Sequence, residues 1–425
     1  MTKKGPVVDR SAPLLACNLS SHHLHDGQMS ENASRLSAVV AHLRRQNLWQ
    51  RCRLVDTAVT SATSSAAAAA AEIIGLGLHT AEHLRKLKQR PLEAMRDAWN
   101  CGSCTFKNVA MDSSCSICGA VKPSQVYIIP DEAPSLYLCE HSFVAALAGC
   151  QACCCLAQKC WEEKLNGFSL IRPPGHHASG EHMGSFCLIN NVAIAAAKLL
   201  ADVDGPRRVL LIDWDVHHGD GTQALAGSHG SLRDRSRFIS IHRHDAGFWP
   251  QSGSVDEGEA NVINVPLRGT GYGDEDYFFV FKEVVIPVAR RFRAEFVLVS
   301  AGYDCGDGDA MGRFSVTPDG FKALTQMVLG LEVPTTFILE GGYDVEHKAE
   351  AGGHDARDVG PSPSHHRTLC EGVAASIEGL LLGPVTVGEV LSKSSEPAEN
   401  SGGLRPETRV VVAAALSRAR QLELV

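Results

Sequence analysis

Short apolar runs recur along the chain: RVLLI, RFISIH, VINVPL, FVLVSAG and TTFILEGG. None alternates cleanly with polar residues, so each reads as a strand buried on both faces. Between them, YFFVFKEVVIPVARRF and FKALTQMVLGL carry apolar residues at helical spacing. Upstream, RLSAVVAHLRRQNLW places Leu36, Val39, Val40 and Leu43 on one helical face. Ser142 to Lys164 and NNVAIAAAKLLADV predict two further helices around the strand FSLI. Strands alternating with helices predict an α/β fold, a mainly parallel sheet with helices on both faces. HTAEHLRKLKQRPLEAMRDAW reads as a basic amphipathic helix broken near Pro91. The polar stretches EAGGHDARDVGPSPSHH and SKSSEPAENSGGLRPET read as an insertion and a linker, so residues 384–425 are expected to be linker and a short C-terminal helix.

The pattern breaks in RVLLIDWDVHHGDG, where a buried run meets Asp213, Asp215, His217, His218 and Asp220. Burying such charges costs several kcal/mol each unless they are paired or bind metal. Ligands of open parallel sheets bind beyond the carboxyl ends of the strands. Three other strand ends here are also polar: FSLI leads to His176 and His177, FVLVSAG to Tyr303 and Asp304, TTFILEGG to Tyr343. Singly, each residue fits a cap, a turn or half-buried packing. Jointly they describe a site. Side chains two apart share a face of an extended segment, so Asp215 and His217 can reach one ion, with Asp304 arriving from a neighbouring strand. That donor set suits zinc with a position open to water or substrate, and iron fits the same ligands.

A net charge of −8 argues against a general nucleic-acid binder and suits an enzyme with basic partners. No apolar run reads as membrane-spanning, and MTKKGPVVDR lacks the apolar core of a secretion signal. The fifteen cysteines include CCC at 153–155, useless as a disulfide framework, which points to reduced thiols and an intracellular protein. Cys101/Cys104 and Cys115/Cys118 form two Cys-x-x-Cys knuckles, the pattern of a closed, tetrahedral structural zinc site.

The ordered motifs GFSLIRPPGHHASGEHMGSFCLINNVAIAA, DWDVHHGDGT, ISIHRHDAGFWPQSG, SAGYDCGDGDAMG and ILEGGYD resemble those of the zinc-dependent histone deacetylases, class II most closely, in the arginase-like α/β fold. The resemblance spans residues 14–383, interrupted by a cysteine-bearing insertion at 97–123; MSENASRL departs from it by lacking a usual proline. It implies that Asp215, His217 and Asp304 hold the catalytic zinc, and that His176 and His177 stand beside the attacking water. Asp213 and Asp220 would orient these two histidines, and Tyr343 would donate to the acyl carbonyl. Asp213 and Ser240 would also fall at a structural potassium site. Phe186, Gly184 and one of Phe248 or Trp249 would line the substrate channel, Met311 would stand at its rim, and Arg35 would lie deep where acetate leaves. A methionine at the rim favours acetyl-lysine over a cationic polyamine.

Trp99, the cysteine pairs and Asn108 resemble a Ran-binding-protein-type zinc finger, whose members bind single-stranded RNA or ubiquitin. RNA recognition needs cationic and planar side chains, and the finger offers only Lys107 between Cys104 and Cys115. Thr105, Phe106 and Ile117 match the ubiquitin-binding pattern, so ubiquitin is favoured over RNA; docking of this apolar trio onto the parent domain is the alternative. The expected activity is hydrolysis of N6-acetyl-lysine in proteins such as histones, in the nucleus, the cytoplasm or both. The competing readings are a catalytically weak scaffold recruiting partners through the finger, and a deacylase for another acyl amide.

Overall fold

The computed structural model describes residues 11–18, 31–57, 63–94, 99–100, 107–108, 127–128, 136–343, 366–393 and 403–424. In chain order its strands are β1 (Leu14–Cys17), β2 (Arg53–Leu54), β3 (Trp99–Asn100), β4 (Lys107–Asn108), β5 (Tyr127–Ile128), β6 (Tyr137–Leu138), β7 (Gly167–Leu170), β8 (Val209–Asp213), β9 (Ser236–Arg243), β10 (Val262–Leu267), β11 (Phe296–Ala301) and β12 (Thr335–Leu339). Eight of them form one sheet in the order β10-β9-β8-β11-β12-β7-β1-β2. Every pairing in it is parallel.

Alternate residues of each strand enter different cores. Leu210 and Ile212 of β8 join the cluster on one face, Val209 and Leu211 the cluster on the other. This explains why the strands read as continuous apolar runs: both faces are covered. The chain runs from β8 to β9 and β10 on one side, then crosses to β11 on the other side of β8. The strand order therefore reverses between β8 and β11, where a crevice opens beyond the strand ends.

Several helices depart from the expectation. The helix Ala81–Ala94 runs through Pro91 instead of breaking there. Ala94, the last residue of the helix, stands three positions after Pro91, so the helix ends within one turn of the proline. The helix Ser142–Glu163 contains an 18-residue window of mean hydropathy 1.4, long and apolar enough by length and composition to cross a membrane. In the fold 67% of that window is buried, and the helix packs on β1, β7 and β12 as a core element. Beyond residue 384 the expected C-terminal helix is present as Pro406–Gln421, and among the described residues the expected linker also contains a helix, Val387–Lys393. Val412, Ala415 and Ala419 of the last helix belong to the main core and cover the edge strand β10.

β3 and β4 pair antiparallel, and Cys101 and Cys104 lie between them in sequence. The four knuckle cysteines and Thr105, Phe106 and Ile117 lie outside the described residues.

Candidate metal centre

Past the end of β8 the side chains keep alternating. Trp214 and Val216 enter the core, where the indole packs on Phe281, Phe321 and Phe337. Asp213, Asp215 and His217 are thereby left for the crevice. The Asp213 carboxylate accepts from the backbone N–H of Asp215 (3.1 Å), and Asp215 from that of His217 (2.9 Å). Across the switch point, Asp304 follows β11 and accepts from the backbone N–H of Val216 (2.9 Å). Gly341, after β12, donates its N–H to Asp215 Oδ2 (2.9 Å). A Cβ at Gly302 would overlap the Asp215 carboxylate, and one at Gly341 both carboxylates, so these positions hold glycine for close approach.

His217 Nδ1 lies 3.1 Å from Asp215 Oδ1 and 3.1 Å from Asp304 Oδ2. One donor atom from each of the three buried residues falls within 4.8 Å of the others. The charges fit a cation. Burial alone would lower the His217 pKa, yet the two carboxylates raise it to about 10. Burial and then Asp215 push Asp304 up to about 7. Burial also opposes ionisation of Asp215, but His176 and His217 hold its pKa below the usual carboxylate range. Two carboxylates around one imidazole thus demand positive charge at the point their donors share. Oxygen, nitrogen and oxygen donors of this kind suit zinc.

Two histidine–aspartate pairs flank this point. His176 Nδ1 is 3.0 Å from Asp213 Oδ2, and His177 Nδ1 is 2.6 Å from Asp220 Oδ1. The ring centroids lie 4.0 Å apart, and His176 Nε2 is 3.9 Å from Asp215 Oδ2. The pairs differ electrically. Burial disfavours the His176 cation, but Asp215 and Asp213 outweigh it and raise the pKa well above normal. Burial and then the neighbouring His176 lower His177 to about 4. Asp213 is raised to about 6 by burial, against the pull of His176, whereas His177 overcomes burial to hold Asp220 low.

Tyr343 caps the far side. Its N–H donates to Asp309 Oδ2 (2.9 Å), and its buried ring lies 5.1 Å from Phe186. Burial raises the phenol well above its usual range despite Arg35. The Arg35 guanidinium sits 4.5 Å above that ring and donates to the carbonyls of Gly342 (2.8 Å) and Glu340 (2.8 Å). Met311 packs against the Tyr137, Phe186 and Tyr343 cluster.

The two candidate wall aromatics part company. The Phe248 ring stacks on His217 at 5.0 Å with Arg243 on it, whereas Trp249 meets His177 edge-on at 6.2 Å and is 38% exposed. Gly184 lies against the backbone of His177, with no room for a Cβ. Ser240 is the register partner of Asp213, and its Oγ is 2.9 Å from His242 Nδ1.

A second group of buried residues, absent from the sequence expectations, supports the site. Glu340 accepts from the N–H groups of Gly175 (2.7 Å) and His176 (3.3 Å), fixing the histidine loop. Burial lifts its pKa to about 7, against the pull of His176. Glu31 binds Arg172 (2.7 Å) and Arg35 (3.2 Å) and accepts from the Tyr137 hydroxyl (3.0 Å). Arg172 stands next to PPGHH in sequence and Glu340 next to GGYD, so adjacency to those motifs was the available signal.

The histone deacetylase domain model matches residues 29–355. The chain belongs to the histone deacetylase family. It is 44% identical to histone deacetylase 15 of Arabidopsis thaliana over 217 residues, 49% of this chain and 38% of that protein. It is 36% identical to histone deacetylase clr3 of Schizosaccharomyces pombe over 252 residues, 56% of this chain and 36% of that one. The chain thus matches well under half the length of either relative. A crystal structure of the HDA15 HD domain superposes with a TM-score of 0.71 at 28% identity, covering 97% of this chain and 98% of that one. The deacetylase fold of this chain is the parallel eight-stranded sheet with helices on both faces.

Proposed function

We propose that this chain is a class II-like, zinc-dependent protein lysine deacetylase, hydrolysing N6-acetyl-lysine in proteins, histones among them, to lysine and acetate. The observation that carries the reading is the convergence of Asp215, His217 and Asp304 on one point between two histidine–aspartate pairs. Asp215, His217 and Asp304 would hold the zinc, which when bound supplies Lewis acidity to the attacking water and to the acyl carbonyl.

The protein residues handle orientation and protons. Asp220 fixes the Nδ1 side of His177, and the low pKa of His177 keeps Nε2 free at neutral pH to take the water's proton. Water oxygen joins the acyl carbon, the carbon–nitrogen bond breaks, and His177 returns the proton to the lysine amine. His176 contributes positive charge beside the reacting carbonyl. Tyr343, held protonated by burial, donates to the carbonyl oxygen as negative charge develops there. Phe186, Trp249 and Gly184 would line the channel, with Met311 at the rim and Phe248 backing His217. Arg35 would stand where acetate departs. Asp213 and Ser240, paired across β8 and β9, would supply oxygens to a potassium ion.

The insertion is proposed as a Ran-binding-protein-type finger. Cys101, Cys104, Cys115 and Cys118 would close around a structural zinc, and Thr105, Phe106 and Ile117 would meet ubiquitin. The antiparallel β3–β4 pair flanking the first knuckle supports that reading. The test of the activity is turnover of an acetyl-lysine peptide by wild type and Tyr343→Phe, with metal assayed in both. Loss of turnover with retained metal supports the mechanism. A folded, zinc-loaded wild type inert on every acyl-lysine would overturn it.

A further inference from the structure

Beside the channel lies an open cavity of about 390 Å³ lined by His244, Asp245, Ala246, Gln251 and Arg268. It abuts the loop that carries Trp249. Its one carboxylate is already occupied: Asp245 Oδ2 takes Arg243 Nε (2.6 Å), and Oδ1 takes the backbone N–H of Gly269 (2.6 Å). Arg268 is exposed and has no carboxylate partner among the described residues. The backbone of its loop is fixed, since the Tyr272 hydroxyl donates to the Arg268 carbonyl (2.7 Å).

The same loop is tied to the rim. The Gly271 N–H donates to the Arg313 carbonyl (2.7 Å), and Arg243 Nη1 donates to the Gly312 carbonyl (3.2 Å). Arg313, two residues beyond Met311, is also exposed and lacks a carboxylate partner among the described residues. Two uncompensated guanidinium groups therefore stand on the loops that border the mouth, on a chain whose net charge is −8.

We propose that Arg268 and Arg313 make this mouth select acyl-lysines flanked by acidic residues over those in basic tails. The proposal rests on the deacetylase reading of the channel and adds a substrate class to it. Guanidinium groups pair readily with carboxylates, and exposed charges at a rim steer and discriminate partners more than they tighten them. A basic flank meets like charge and is disfavoured. The preference should reside in KM, because the flanking contact is made before and during reaction alike.

The test uses zinc-loaded protein and three labelled acetyl-lysine peptides that differ only in acidic, serine or lysine flanks. Binding is read by fluorescence anisotropy and turnover by amine release. Exposed pairs of this kind predict a roughly three- to tenfold lower Kd and KM for the acidic peptide than for the basic one, shrinking as salt is raised. Arg268→Glu with Arg313→Glu should erase or invert the order, with thermal melting confirming the fold. Equal binding of all three peptides by wild type, or an order unchanged in the double variant, overturns the proposal. If no peptide is turned over but the anisotropy order is present and inverts in the variant, selection stands and the deacetylase reading falls. Brisk turnover without flank preference gives the converse.

Discussion

Two buried charge clusters sit side by side at the strand ends and are built in opposite ways. Around Glu31, one carboxylate is met by two guanidinium groups and the Tyr137 hydroxyl. Around His217, Asp215 and Asp304 crowd a single imidazole, with Asp213 and its histidine behind. The first cluster sets one carboxylate against two guanidinium groups, and Arg35 also donates to the carbonyls of Gly342 and Glu340, so it braces the loop bearing Tyr343. The second lacks positive charge and is complete only with a cation. Burial is costly in both, but only the second leaves carboxylates in excess, the arrangement that a cation completes.

The contrast breaks most sharply under removal of the ion. Chelation, or Asp304→Asn, should abolish turnover of acetyl-lysine while the sheet stays folded, read by amine release and circular dichroism. Next in size, Tyr343→Phe should lower kcat by about 10²–10³ with metal content unchanged, because one oxyanion donor is lost. Third, neutralising a carboxylate should act with opposite sign in the two clusters of metal-free protein. Glu31→Gln leaves buried guanidinium charge uncompensated and should cost about 3–5 kcal/mol in denaturant melts. Asp304→Asn relieves repulsion with Asp215 and should melt at or above metal-free wild type. The smallest effect is at the wall: Trp249→Ala should raise KM severalfold, with kcat little changed, by removing one aromatic contact worth about 1 kcal/mol.

Much of the metal cluster was legible because its residues interrupt apolar strands. Asp215 and His217 share a face by strand periodicity, and Asp304 follows the later apolar run FVLVSAG. The sheet was legible for the same reason, since strands covered on both faces read as unbroken apolar runs. Glu31, Arg172 and Glu340 were not legible, because their pairing is set by tertiary contacts between segments far apart in sequence. Pro91 misled because a proline in a final turn looks like one in mid-helix. The C-terminal helix was legible, but the burial of its Val412, Ala415 and Ala419 in the main core was not, because it is set by tertiary contacts with a distant strand.

The most direct measurement is a zinc titration of metal-stripped wild type and Asp304→Asn, following melting temperature and acetyl-lysine turnover together. The variant keeps the knuckle cysteines, so the difference between the two isolates the strand-end centre from the finger. The account predicts that zinc raises the wild-type melting temperature beyond that of the variant and restores turnover to the wild type alone. Free zinc at about a hundredfold over Kd corresponds to roughly 2.7 kcal/mol of stabilisation. Identical shifts in both proteins, or wild-type turnover that survives stripping, would contradict it.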